Sequence, residues 1–205
     1  MNTVAPSLPK SLLQFAGAPL YPAALSNAVL LLIDFQGEYT AGSLRLPDAA
    51  SALAEAGVLL RAARAAGTPI IHVVHHGRPG GALFDPAGPH VAIDPAVAPL
   101  PDEVIVQKGL PNSFAQTGLH ELIQAAGRKE LILAGFMTHL CVSATARSAL
   151  DHGYRSTVVA SATATRDLPD PAGGLVAAAL VHQATLAALA DRFAIVVQAA
   201  ADIPA

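Results

Sequence analysis

The sequence predicts an α/β fold: a mostly parallel sheet covered by helices on both faces. Two observations carry this. Short runs rich in Val, Ile and Leu, apolar at every position rather than every second one, recur along the chain. Each is separated from the next by a helical stretch or a long connection, the pattern of buried parallel strands joined by crossovers. The chain is also long enough, at 205 residues, to bury a sizeable core, and 53% of its residues are apolar against 13% charged, which excludes disorder as its main state.

The elements follow in order. Residues 28–33 (AVLLLI) form the first strand, which ends at Asp34. Residues 47–66 are rich in Ala and Leu and stop at Gly67, a helix with a glycine terminator. The second strand covers 69–75 (PIIHVVH) and the third 103–106 (EVIV). A helix over 116–126 closes at Gly127, and the fourth strand is 130–134 (ELILA). A turn beginning at Gly135 leads to a helix over 140–151, ended by His152 and Gly153. The fifth strand is 156–160, the last helix 173–190 and the sixth strand 193–197. The long Gly/Pro-rich connection 77–101 is of the kind that carries function or an oligomer contact.

Composition excludes several classes of function. Lys and Arg number 12 against 15 Asp and Glu, a net charge of −3, so the basic excess of a nucleic-acid or anionic-membrane binder is missing. Cys141 is the one cysteine. It leaves no internal disulfide and no multi-cysteine metal site, and a lone thiol fits the cytoplasm. The N-terminus lacks a basic stretch followed by an apolar run, so no signal peptide is expected. Residues 173–190 are apolar mainly through alanine and include His182 and Gln183, which reads as a buried helix rather than a membrane span. With no repeat and no linker, 1–205 reads as one domain. Its segment 1–22 holds four prolines, an arm over a neighbouring subunit or a loosely ordered tail. Neither G-x-G-x-x-G after the first strand nor a phosphate loop occurs, which argues against a nucleotide cofactor.

In open parallel sheets ligands sit beyond the carboxyl ends of the strands, and three chemically useful residues fall there. Asp34 (LLIDFQGEY) is a carboxylate that burial makes a better proton acceptor. Lys108 (VIVQKGLPNSF) is a cation aimed at the same edge. Cys141 (AGFMTHLCVSATARSAL) opens a helix, where backbone N–H groups favour a thiolate and can hold an oxyanion. Each alone also fits a plainer role: a structural acid, an exposed loop charge, a small buried hydrophobe. All three at one edge of one sheet point to nucleophilic catalysis.

LLIDFQGEY, QKGLPNSF and GFMTHLCVSATARSA, with ATATRDLP at 162–169 and VHQATLAALADRFA at 181–194, resemble the isochorismatase-like family of cysteine hydrolases. The resemblance extends from about residue 20 to 197, with the motifs in the family's order. It implies a Rossmann-like three-layer sandwich with six parallel strands. It also implies a catalytic triad of Asp34, Lys108 and Cys141, a cis peptide between Phe136 and Met137, and an oxyanion hole from the N–H groups of Met137 and Cys141. Homo-oligomers, dimers or tetramers, are common in the family. Gln36, Tyr39, His76, Phe114 and Phe136 flank the triad segments and are candidates for shaping the pocket of a small-molecule substrate, while Ser113 is expected to hydrogen-bond near Lys108 rather than react.

The resemblance implies hydrolysis of a C–N bond in a small amide, ureido or carbamoyl compound through a thioester. Asp34 takes the thiol proton and Lys108 and the helix terminus favour the thiolate. The alternatives are vinyl-ether hydrolysis of an isochorismate-like substrate with Asp34 as the acid, and an idle family member that only binds. No metal is expected. The nicotinamidase branch carries an Asp-x-His pair, which is absent between Asp34 and Lys108. His72, His75, His76, Asp85 and His90 are the nearby donors, and His72 and His75 belong to an apolar strand.

Overall fold

A computed structural model describes residues 8–205. In chain order its elements are α1 (Leu12–Phe15), β1 (Ala28–Ile33), α2 (Ala49–Ala65), β2 (Ile70–His75), β3 (Val104–Lys108), α3 (Leu119–Ala125), β4 (Glu130–Phe136), α4 (Ser143–Asp151), β5 (Arg155–Ala164), the two-residue strands β6 (Leu168–Pro169) and β7 (Leu175–Val176), α5 (Ala178–Arg192) and β8 (Ala194–Val197). Six strands form one parallel sheet in the order β3-β2-β1-β4-β5-β8. Strands β6 and β7 pair only with each other.

Strand β1 is buried on both faces, and its successive side chains point to opposite sides. In β1, Ala28, Leu30 and Leu32 join Leu53, Ala56, Leu59 and Leu60 of α2 in one core. Val29, Leu31 and Ile33 join Leu119 and Ile123 of α3, Ala146 and Ala149 of α4 and Leu189 of α5 in the other. The result is the expected three-layer sandwich. The strand order reverses between β1 and β4, so the crevice expected to hold a ligand opens where Asp34 and the chain leaving β4 emerge.

Several boundaries differ from the sequence reading. Strand β3 runs on to Lys108, and β4 runs through Gly135 to Phe136 before any turn. Strand β5 extends from Arg155 to Ala164, with a bulge that lets Leu133 pair with Val158 and Gly135 with Thr163. The helix expected over 173–190 starts at Ala178 and ends at Arg192, because Leu175 and Val176 go into the β6–β7 pair. Of the proposed N-terminal arm, residues 1–7 lie outside the described residues. The rest is largely exposed and touches its own chain: Leu12 N–H donates to Asp191 Oδ1 at 2.9 Å, and the Arg155 guanidinium lies over Tyr21, 4.8 Å from the ring centre. No helix among the described residues is long and apolar enough to cross a membrane.

Candidate active site

Asp34 is the first residue past β1. Its N–H stays in the sheet, donating to Val73 O at 2.8 Å, but its φ of 55° is left-handed, a conformation that costs a residue with a Cβ roughly 1–2 kcal/mol. The chain leaves the sheet there at once, and Gln36 N–H donates to Asp34 O at 2.8 Å. Next to it, β4 passes β1 so closely that a Cβ on Gly135 would lie 2.1 Å from Ile33 O, with φ at 145°. Only glycine fits. The Phe136–Met137 peptide that follows is cis.

After that peptide the chain makes a wide turn, Thr138–Val142, rather than entering an α-helix directly. Met137 O accepts from Leu140 N at 3.0 Å and from Val142 N at 3.3 Å, the longer reach of a π turn. Cys141 therefore sits inside this turn, ahead of α4, and not at an α-helix N-terminus as the sequence suggested. Two side-chain bonds brace the turn from outside. Thr138 Oγ1 lies 2.9 Å from His182 Nδ1 on α5, and His139 Nδ1 lies 2.5 Å from Thr165 Oγ1 just past β5. Met137 N–H makes no backbone hydrogen bond outside the helices and strands among the described residues.

The structure brings Asp34, Lys108 and Cys141 into contact. Lys108 Nζ donates to Asp34 Oδ2 at 2.7 Å and to Cys141 Sγ at 3.3 Å. Asp34 is 0%, Lys108 3% and Cys141 4% exposed, so the charges meet in a dry setting where each is felt strongly. Asp34 Oδ1 is buried and lacks a partner of ordinary geometry.

Burial raises the Asp34 pKa, against the pull of the Lys108 ammonium. Burial and the Asp34 charge push the Cys141 thiol up to about 12, with Lys108 opposing. Burial thus pushes both acids toward their protonated forms, while the one ammonium favours the charged form of each; the thiolate favoured in the sequence reading is opposed here by burial and by Asp34.

The other pocket candidates separate. Tyr39 is buried against Phe84 and Phe136, with ring centres 5.2 and 5.4 Å away. Its pKa is raised by burial, with smaller upward pushes from the charges of Asp34 and Cys141. Phe136 packs edge-on to Phe35 at 4.7 Å and belongs to the core wall. Phe114 does not flank the site. It stacks on His152 at 4.7 Å, beyond the far end of α4, at the opposite edge of the sheet. Gln36 is consumed by backbone: its Oε1 accepts from His75 N at 2.8 Å, and its Nε2 donates to His75 O at 2.9 Å and Val91 O at 2.7 Å. His76 is half-buried, and its neighbour His75, named in the sequence only as a nearby donor and not as a pocket candidate, touches the triad: Nδ1 lies 3.3 Å from Lys108 Nζ. Ser113 is held by Thr145 on α4, whose Oγ1 accepts from Ser113 N at 3.1 Å and donates to Ser113 Oγ at 2.8 Å.

The long connection 77–101 is sewn onto the segment after Asp34. Gly37 N donates to Ala92 O, Glu38 N to His90 O and Asp94 N to Phe35 O. It thereby carries Phe84 over Tyr39 and His75. The residues do not fit a metal. Among the described residues no three His, Cys, Asp or Glu side chains converge. His72 Nε2 is turned to Glu103 Oε2 at 2.8 Å, and His75 to Lys108.

A three-layer α/β sandwich with an acid, an ammonium and a thiol buried together at its switch point has the make-up of an enzyme. Comparison with known proteins gives the class a family. The isochorismatase domain model matches residues 28–201. The chain belongs to the isochorismatase family of hydrolases. A solved isochorismatase from Pseudomonas putida KT2440 is 44% identical, with a TM-score of 0.91 over 96% of this chain and 100% of that one. The secreted isochorismatase effector Isc1 of Verticillium dahliae is 38% identical over 86% of this chain and 90% of its own length. The maleamate amidohydrolase of Pseudomonas putida is 36% identical over 63% of this chain and 68% of its own.

Proposed function

We propose that the protein hydrolyses a C–N bond of a small amide, ureido or carbamoyl compound through a thioester on Cys141. The observation that carries this reading is the Lys108 ammonium, which contacts the Asp34 carboxylate and the Cys141 sulfur at once. The similarity to maleamate amidohydrolase supports it.

When the substrate carbonyl reaches the sulfur, the thiol proton passes to Asp34, whose raised pKa makes it a competent acceptor. The sulfur electron pair forms the S–C bond, and the carbonyl π pair moves to oxygen. The Met137 N–H stabilises that oxyanion, with Cys141 N–H as its partner donor. As the tetrahedral intermediate collapses, Asp34 returns the proton to the leaving nitrogen and the C–N bond breaks. Water then gives a proton to Asp34 and attacks the thioester. The acid departs, and the sulfur recovers its proton from Asp34.

Arg166 follows β5, and its Nε is buried without a partner. Among the described residues no carboxylate lies within salt-bridge reach of it, and residues 1–7 include no acid. Its charge is felt at Tyr39 and at His139 of the cysteine turn. A substrate bearing a carboxylate would supply the missing counter-ion.

Screening small amides, ureas and carbamoyl compounds against wild type and Cys141→Ala tests the proposal. Turnover by wild type and its loss in a folded Cys141→Ala are expected; equal rates would overturn the covalent scheme. Vinyl-ether cleavage with Asp34 as the acid is the second reading, favoured by the raised carboxyl. It leaves the thiol without a task, so it predicts turnover that survives alkylation of Cys141.

A further inference from the structure

The Lys108 ammonium has three N–H bonds and three neighbours: Asp34 Oδ2 at 2.7 Å, Cys141 Sγ at 3.3 Å and His75 Nδ1 at 3.3 Å. The first two belong to the proposed chemistry, which leaves the third unexplained. His75 stands opposite Lys108 in the β2–β3 register, so the two side chains rise on the same face of the sheet. The imidazole pKa is pushed down to about 4 by burial and by the Lys108 charge. The ring is therefore neutral at pH 7, with Nδ1 accepting and the proton on Nε2.

His75 is itself held at both ends. The Gln36 amide grips its N–H and its C=O at 2.8 and 2.9 Å, and the Phe84 ring stands edge-on to the imidazole at 5.1 Å. Gln36 is two residues past Asp34, so the segment that positions the carboxylate also positions the ring that receives the ammonium.

We infer that His75 is a positioning residue for Lys108: its Nδ1 takes the third ammonium hydrogen and so fixes the cation between Asp34 and Cys141. The inference rests on the amidohydrolase reading for its kinetic consequences and on the triad geometry alone for its chemical ones. A lysine held by two acceptors keeps a free rotor and a flexible four-carbon stem; a third acceptor removes that freedom before substrate arrives. The histidine moves no proton in this role.

The test compares wild type, His75→Leu and His75→Asn. Asparagine keeps an acceptor oxygen near the place of Nδ1, and leucine removes it. Two readouts are taken: kcat and KM on the best amide of the screen, and the rate of Cys141 alkylation by iodoacetamide between pH 7 and 10. For His75→Leu, kcat is expected to fall by at least about tenfold with KM changed less than about threefold. Its alkylation profile moves to higher pH, because a wandering ammonium stabilises the thiolate less. His75→Asn recovers most of both. A His75→Leu protein with wild-type alkylation profile overturns the inference, as does equal impairment of the two variants with that profile unmoved, which marks a packing role. If wild type turns over no amide, the amidohydrolase reading fails while the alkylation comparison still decides the role of His75.

Discussion

Lys108 Nζ stands 2.7 Å from Asp34 Oδ2, and neither side chain reaches solvent. A buried pair of this kind contributes little net stability, but removing one member leaves an uncompensated charge. Lys108→Met should therefore destabilise the fold by about 3–5 kcal/mol at pH 7. The loss should shrink in acid, where Asp34 can take a proton. Urea denaturation at pH 7 and pH 4 measures both.

The thiol supplies a second pH signature. Its pKa in the folded protein is pushed up to about 12 by burial and by Asp34, above the ordinary value of 9.0. Between those values the unfolded chain has lost the proton and the folded chain keeps it, so stability falls as pH rises. The unfolding free energy of wild type should drop relative to Cys141→Ala by about 1.4 kcal/mol per pH unit in that window. Parallel curves for the two proteins would contradict the raised pKa.

Glu103 titrates in the opposite sense. Arg64 holds it at 2.7 and 2.9 Å, His72 at 2.8 Å, and its pKa is lowered to about 2. Its stabilisation is present above the ordinary value of 4.5 and lost as pH falls toward 2. Glu103→Gln should be less stable than wild type at pH 7 by about 2 kcal/mol, allowing for the partial exposure of Arg64, and nearly equal to it at pH 2.

Gly135→Ala would force a Cβ to 2.1 Å from Ile33 O at a φ that alanine avoids. A loss of about 3 kcal/mol or more is expected. The residual folded enzyme should show lower kcat, because β4 delivers Met137 and the cysteine turn. Thermal melts and turnover per folded molecule check it.

Arg166→Gln should raise KM for an amide that carries a carboxylate by about tenfold, the loss of one charge-assisted contact. KM for an uncharged analogue should stay within about twofold. A matched pair of substrates, one anionic and one neutral, separates the two outcomes.

Much of this was legible in the sequence. The interiors of the central strands β1 and β4 stand out because burial on both faces leaves an unbroken apolar run. Strand ends do not, because Lys108, Gly135 and Phe136 are kept in the sheet by backbone pairing, which apolarity does not report. Asp34 was visible because a carboxylate directly after such a run is unusual, and Lys108 and Cys141 because each follows a strand toward the same edge of the sheet. His75 was not singled out over His76, although counting by twos from Ile71 through Val73 puts it on the face of Lys108. The upward push on the thiol was hidden for another reason. Sequence shows the ammonium that favours the thiolate, but not the burial and the Asp34 charge that oppose it.

The nearly sealed sulfur also bears on durability. Peroxides and disulfides react with the thiolate, not with the neutral thiol. At 4% exposure, and with its pKa pushed up by burial and by Asp34, Cys141 offers an oxidant little anion and little access. The same packing should let the protein tolerate oxidants that would silence an exposed, ionised cysteine.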